Sequence, residues 1–221
     1  MIAAETIRGG RSMSDDLVFY TNPMSRGRIV RWMLEEVGAP YRTELLDYGT
    51  TMKSPDYLAI NPMGKVPAIR HGGVVVTEGA AICAYLADAY PEAGLAPPPT
   101  DPARGTYYRW LFYAAGPMEA AVTNASLNVV VPPERKMMAG YGCMDDVLAT
   151  LERALTGTDY LAGGKFSAAD LYLGAQIGFG LMFKSIAPRP AFVAYAERLN
   201  ARPAAVRARE IDDALIAQSA K

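Results

Sequence analysis

The stretch Val66-Pro-Ala-Ile69, Arg70-His-Gly-Gly73, Val74-Val-Val76, Thr77-Glu-Gly79 decides the fold. Two short apolar runs, Val66–Ile69 and Val74–Val76, flank a glycine-rich turn, the pattern of two tightly joined antiparallel strands. Directly afterwards, Glu78–Tyr90 sets Ile82, Tyr85, Leu86 and Ala89 at helical spacing. Toward the N terminus the order differs. Leu17–Tyr20 is a compact apolar strand, and Thr21-Asn-Pro-Met24 interrupts it. A helix capped near Ser25 then carries Ile29, Val30, Met33, Leu34 and Val37 on one face until Gly38 stops it. Tyr41–Leu46 is the next strand, and a helix between two strands implies a right-handed parallel crossover.

A parallel βαβ unit followed by an antiparallel ββα unit is the order of a thioredoxin-like domain, expected here over residues 15–92. Residues 93–102, within the proline-rich Pro91–Pro102, read as a stiff linker. Beyond it no strand pattern recurs. Residues 103–221 are expected to form an all-helical bundle domain, with helices near 103–128, 133–156, 167–183, 189–200 and 203–218. The expected class is α/β plus all-α. Residues 1–14 precede the first patterned segment and read as a disordered leader, with Met13 as a second start besides Met1.

With 221 residues, 51% of them hydrophobic, the chain can bury a core without disulfide or metal staples. The 22 basic side chains balance 23 acidic ones, which leaves no electrostatic footprint for nucleic acid. A single histidine, His71, excludes multi-histidine metal sites, and no metal is expected. Cys83 and Cys143 lie far apart, form neither a redox pair nor a disulfide framework, and fit a reducing compartment. No apolar run is long enough to span a bilayer and no secretory h-region is visible, so a cytoplasmic protein without a membrane partner is expected.

Two short motifs carry chemistry. Asn61-Pro-Met-Gly-Lys-Val-Pro67 leads into the hairpin, where a proline at the first strand position has no N–H to offer the ladder and the Val66 backbone is free to pair with an extended peptide. Thr77-Glu-Gly79 opens a helix whose first N–H groups suit a carboxylate. A peptide-pairing edge beside a carboxylate-binding helix end describes a site for a small acidic peptide.

Together with the proline-rich linker and Gly163-Gly-Lys-Phe-Ser-Ala-Ala-Asp170, these motifs resemble the glutathione S-transferase family over residues 17 to about 215. The resemblance implies a glutathione site on the thioredoxin-like domain, a hydrophobic electrophile pocket supplied by the helical domain, and a homodimer. By position it implies that Val66, beside Pro67, bonds the cysteinyl backbone of glutathione and that Glu78 holds the γ-glutamyl ammonium. Gly79 would hold the γ-glutamyl carboxylate through its backbone, where many members carry serine, and Lys53 would offer its charge to the glycyl carboxylate. The thiol activator comes from the first loop, Tyr20-Thr-Asn-Pro-Met-Ser-Arg26, which has no cysteine for mixed-disulfide chemistry. Ser25 is the expected donor to the sulfur, with Asn22, Arg26 and Tyr20 as alternatives. A thiol of pKa about 8.5 needs about 2–3 kcal/mol to become mostly thiolate at neutral pH. One hydrogen bond to a charged acceptor supplies about 1.5–3 kcal/mol. The implied activity is conjugation of the glutathione thiolate to a small hydrophobic electrophile. Glutathione-dependent isomerisation or dehalogenation is one alternative, and a non-catalytic binding or regulatory role on the same fold is another.

Other residues have quieter readings. Tyr107, Tyr108, Trp110, Leu111, Phe112, Tyr113 and Met118 are too many for one buried stripe, which points to Tyr108, Phe112 and Met118 as electrophile-pocket residues. His71 reads as a solvated turn residue, and Cys83 and Cys143 as small buried ones. Ser167 and Asp170 read as a capping box that helps folding.

Overall fold

The computed structural model describes residues 17–219, so the leader expected over residues 1–14 and the choice of start lie outside the described residues. Val18–Thr21 (β1), Gly27–Val37 (α1) and Arg42–Leu45 (β2) form the first unit. Pro55–Leu58 (α2), Ala68–His71 (β3), Val74–Thr77 (β4) and Gly79–Ala89 (α3) follow. The sheet order is β2-β1-β3-β4. β1 runs parallel to β2, with Val18 opposite Arg42, and antiparallel to β3. β3 and β4 pair antiparallel with Ala68 opposite Thr77. This is a thioredoxin-like domain.

β3 begins two residues later than the sequence suggests. The Lys65 carbonyl accepts from Tyr57 Oη at 2.5 Å and from Asn61 Nδ2 at 2.8 Å, which holds the chain off the ladder. Pro67, joined to Val66 by a cis bond, has no N–H to contribute. His71 is a further correction. It is buried, not solvated, because it ends β3 beneath α3, with Nδ1 3.0 Å from Tyr85 Oη and its ring stacked on Tyr90.

The second domain is helical. Ala103–Tyr113 (α4) passes through a π-helical turn at Ala114–Met118 into Glu119–Ser126 (α5), the widened turn accommodating Pro117, which has no N–H. Met144–Leu155 (α6), Ala168–Met182 (α7), Pro190–Asn200 (α8) and Pro203–Ser219 (α9) complete it. The helix expected from residue 133 starts only at Met144, because Pro133–Met138 closes as a short 3₁₀ segment and Gly142, at φ +72°, takes a left-handed turn that no helix continues through. Cys143 precedes α6 and is half-buried, unlike the fully buried Cys83, whose thiol is pushed well up by desolvation. At the start of α7 the buried Asp170 carboxylate accepts four bonds. Oδ2 takes Ser167 N at 2.9 Å and Ser167 Oγ at 2.7 Å, while Oδ1 takes Leu161 N and Tyr195 Oη, each at 2.7 Å. Burial raises its pKa against those bonds.

The two domains meet chiefly along α1 and α9, joined by a seam of ion pairs. Arg28 bonds Asp213 at 2.6 Å, Arg31 bonds Asp212 at 2.7 Å, Glu35 bonds Arg207 at 3.3 Å, and Glu36 bonds Arg202 through both oxygens at 2.6 and 2.8 Å. Arg31 and Asp212 are each 1% exposed. The Arg31 guanidinium also lies over the Phe19 ring at 5.2 Å and donates to Tyr41 Oη and Thr43 Oγ1. Removing one partner of a buried pair strands the other charge, at a cost of about 3–5 kcal/mol. Urea unfolding of Arg31→Leu is therefore expected to show a loss of about that size, and the Arg31→Leu/Asp212→Leu double variant to regain most of it.

Candidate functional site

The first loop, between β1 and α1, is fastened by Asn22. Its Nδ2 donates to Leu46 O at 2.8 Å and its Oδ1 accepts from Met24 N at 2.9 Å, so both ends of the buried amide tie the loop to the end of β2. Tyr20 is buried in β1 with its ring 5.7 Å from that of Tyr57. The Asn22 amide is thus committed at both ends, whereas the Tyr20 hydroxyl has no hydrogen-bond partner among the described residues. Ser25 is half-buried; its Oγ donates to Asn22 O at 2.6 Å and accepts from Gly27 N at 2.9 Å, which sets the hydroxyl at the start of α1. Gly27 makes this geometry possible, because a Cβ there would fall 1.9 Å from Thr21 Oγ1 and 3.0 Å from Ser25 Oγ. Sequence reasoning passed over this residue, although a glycine in the first turn of a helix is itself a signal of close approach.

A smaller cavity of about 440 Å³ opens beside the loop, lined by Ser25, Arg26, Lys53, Lys65, Val66 and Glu119 among others. Lys53 Nζ donates to Met63 O at 3.1 Å and Gly64 O at 2.9 Å, bracing the turn in which Gly64 takes φ +56°. Burial pushes the Tyr57 phenol up to about 12, so it stays a neutral donor to the Lys65 carbonyl. Arg26 pairs with Glu119 across the cavity mouth, and Glu119 Oε2 is buried without a partner. The pairing of Thr77 with Ala68 sets Glu78 and Gly79 beside the Val66–Pro67 turn. Glu78 is exposed, makes no side-chain cap and holds φ +64°, ψ 117°, a conformation that side-chain-bearing residues keep only when the surroundings impose it. At Gly79 a Cβ would sit 3.1 Å from Tyr172 Cε2, a close contact in which the ring of Tyr172 would have to give by a few tenths of an ångström to admit a serine.

The larger cavity, about 850 Å³, lies between α1 and the helices α7 and α9. Met24, Ile29, Trp32, Phe179, Phe183 and Ile216 supply apolar wall, while Ser25, Arg26 and Tyr48 border both cavities. Met24, Tyr48, Met182 and Phe183 are strongly exposed apolar side chains, and all four lie on this cavity. Tyr108, Phe112 and Met118 line neither cavity. Met118 continues the buried stripe of Tyr107, Leu111, Ala114 and Ala121, whereas Tyr108 and Phe112 lie on the outward flank of α4, 40% and 71% exposed. A surplus of aromatics on one helix signals a second stripe but does not say which neighbour that stripe faces. Phe179 and Phe183, four apart at the end of the α7 pattern, carried a similar signal and do line the cleft.

Residues 24–89 match the description "Glutathione S-transferase, N-terminal domain" and residues 111–203 "Glutathione S-transferase, C-terminal domain". The glutathione S-transferase GstA of Escherichia coli is 30% identical over 168 residues, covering 75% of this chain and 80% of that protein. The chain belongs to the glutathione S-transferase family. A glutathione transferase structure from Methylococcus capsulatus superposes with TM-score 0.75 at 32% identity, over 89% of this chain and 98% of the other. A sphingomonad glutathione S-transferase solved with glutathione gives TM-score 0.72 at 30% identity, again over 89% and 98%. The protein is thus a transferase enzyme of this family with glutathione as a substrate.

Gly27→Ala is expected to lower stability by about 1–3 kcal/mol through overpacking of Thr21. Urea unfolding of the variant reads that loss.

Proposed function

We propose that the protein conjugates the thiolate of glutathione to a small hydrophobic electrophile, with Ser25 contacting the sulfur. One observation carries this reading: Ser25 stands where a cavity bordered by Lys53, Lys65, Val66 and Glu119 meets a larger, mostly apolar one. A charged peptide in the first would present its thiol to an apolar partner in the second. Val66, next to Pro67, pairs with the cysteinyl backbone; Glu78 takes the γ-glutamyl ammonium, and the Gly79 N–H its carboxylate. Lys53, with two of its donors already committed, offers the third to the glycyl carboxylate.

Ser25 has a single proton, now donated to Asn22 O. Turning it to the sulfur exchanges a neutral bond worth about 0.5–1.5 kcal/mol for a charge-assisted one worth about 1.5–3 kcal/mol. The start of α1 adds about 0.3–1 kcal/mol for a thiolate. The sum lowers the thiol pKa by about one to two units. Holding both reactants against each other supplies the rest of the rate. Ser25→Ala is expected to keep glutathione binding by calorimetry, to lose the ultraviolet thiolate band, and to lower kcat/KM by about tenfold to hundredfold. A variant that kept the band would move the sulfur contact to Arg26 or Tyr20. Absence of glutathione binding in the wild type would end the reading altogether.

A homodimer accompanies this function. The support is an exposed apolar face on α4, with Tyr108 and Phe112, and a second on the edge strand β4, where Val74 and Val75 are 54% and 40% exposed. Sedimentation is expected to give a dimer for the wild type and a monomer for Phe112→Asp.

A further inference from the structure

The helix α9 turns one stripe toward the large cavity, Ala205, Ala208, Arg209, Asp212, Asp213 and Ile216, at helical spacing. Within that stripe Arg209 stands apart. It is exposed and makes neither an ion pair nor a hydrogen bond among the described residues. An arginine on a helix ordinarily finds an acid three or four residues along, and here those positions hold Asp212 and Asp213. Both are claimed by α1, Asp212 by Arg31 at 2.7 Å and Asp213 by Arg28 at 2.6 Å. Arg26, the third arginine on the cavity wall, is bonded to Glu119. Arg202 and Arg207, before and within α9, reach Glu36 and Glu35 across the domain seam. Docking of the domains therefore occupies the acids and leaves the wall with one uncompensated positive charge. Around it the wall is mostly apolar, from Trp32, Phe179, Phe183 and Ile216, and its polar side chains Ser185 and Asn200 are neutral.

We propose that Arg209 is a specificity-determining residue and that the preferred electrophile is an apolar molecule carrying a carboxylate at the end away from the reacting carbon. This rests on the conjugation reading above. The apolar body packs on the wall, and the carboxylate meets a guanidinium able to hold it through two parallel N–H bonds. A neutral electrophile gains nothing from this charge, and a cationic one is repelled. Because the carboxylate is remote from the carbon under attack, its bond to Arg209 is the same before and during the reaction. Arg209 therefore acts on KM and leaves kcat alone. For a benzylic chloride the glutathione thiol gives its proton to solvent and the sulfur forms a bond to carbon. The carbon–chlorine bond breaks, and chloride leaves with the bonding pair.

The test compares Arg209→Gln, which removes the charge, and Arg209→Lys, which keeps it, with the wild type. Each is assayed with glutathione and 4-(chloromethyl)benzoate or 4-(chloromethyl)phenylacetate, two lengths of acid, and with the methyl ester of each. In Arg209→Gln, KM for the acids is expected to rise about fivefold to twentyfold, with kcat and both esters changed by less than about twofold. Arg209→Lys is expected to recover most of that loss. In the wild type, added salt is expected to erode the acids' advantage and to leave the esters unchanged. Thermal unfolding of both variants is expected within about 2 °C of the wild type, because an exposed side chain without a partner is replaced. Equal losses on acids and esters, or an unchanged KM for both acids in Arg209→Gln, would overturn the assignment. A wild type that binds glutathione but conjugates none of the four overturns the substrate class and leaves the glutathione site standing. A wild type that binds no glutathione removes the underlying function as well.

Discussion

The buried pair of Arg31 and Asp212 is the constraint on which the arrangement depends. Both side chains are 1% exposed, and they join the first helix of the chain to the last. Burying two charges is costly unless they meet, and Arg31 and Asp212 meet in the observed register of α1 against α9. The flanking pairs repeat that register. Along α1 the charges run basic to acidic, Arg28 and Arg31 and then Glu35 and Glu36; toward and along α9 they run likewise, Arg202 and Arg207 and then Asp212 and Asp213. Antiparallel docking matches each with its opposite. Both orders run against the preference of a helix dipole, which favours acids first and bases last. Interdomain matching accounts for what single-helix energetics does not.

That register also fixes the cleft. Arg28, Ile29 and Trp32 from α1 and Ala208, Asp212 and Ile216 from α9 border the large cavity, so the same helices that lock the domains shape the space between them. Side-chain amides fasten the loops at its edge. Asn22 ties the first loop to β2, and Asn61 ties the turn before β3 through Lys65 O and Met63 N. Neither loop has ladder partners of its own, and a buried amide that meets the backbone at both ends supplies the missing bonds. Ser25 and Val66 thereby come to one cavity from separate loops.

Much of this was legible in the sequence, for identifiable reasons. Short apolar runs and glycine or proline punctuation located all four strands and the helices α1, α3, α7, α8 and α9 to within about two residues. Ser25, Lys53 and Val66, named on motif and position, do line one cavity. The misses were of other kinds. Helical propensity over 133–143 was overridden by a left-handed glycine. His71 looked solvated because a turn followed it, yet the residue belongs to the strand and lies beneath two tyrosines. Tyr108, Phe112 and Met118 were grouped by composition, although one belongs to the buried stripe and two face outward.

By itself the sequence determined the order of elements, the separation into two domains, and a short list of candidate site residues of which Ser25, Lys53 and Val66 line one cavity. These follow from local periodicity, from turn chemistry and from the few polar residues placed at element ends. Only the tertiary structure decided which apolar stripe faces the cleft and how closely residue 79 approaches the ring of Tyr172. A helix presents several faces with equal local preference, and which one meets a cavity depends on the angle of docking. Long-range pairs such as Arg31 with Asp212 set that angle, and their partners lie too far apart in the chain for any local pattern to reveal.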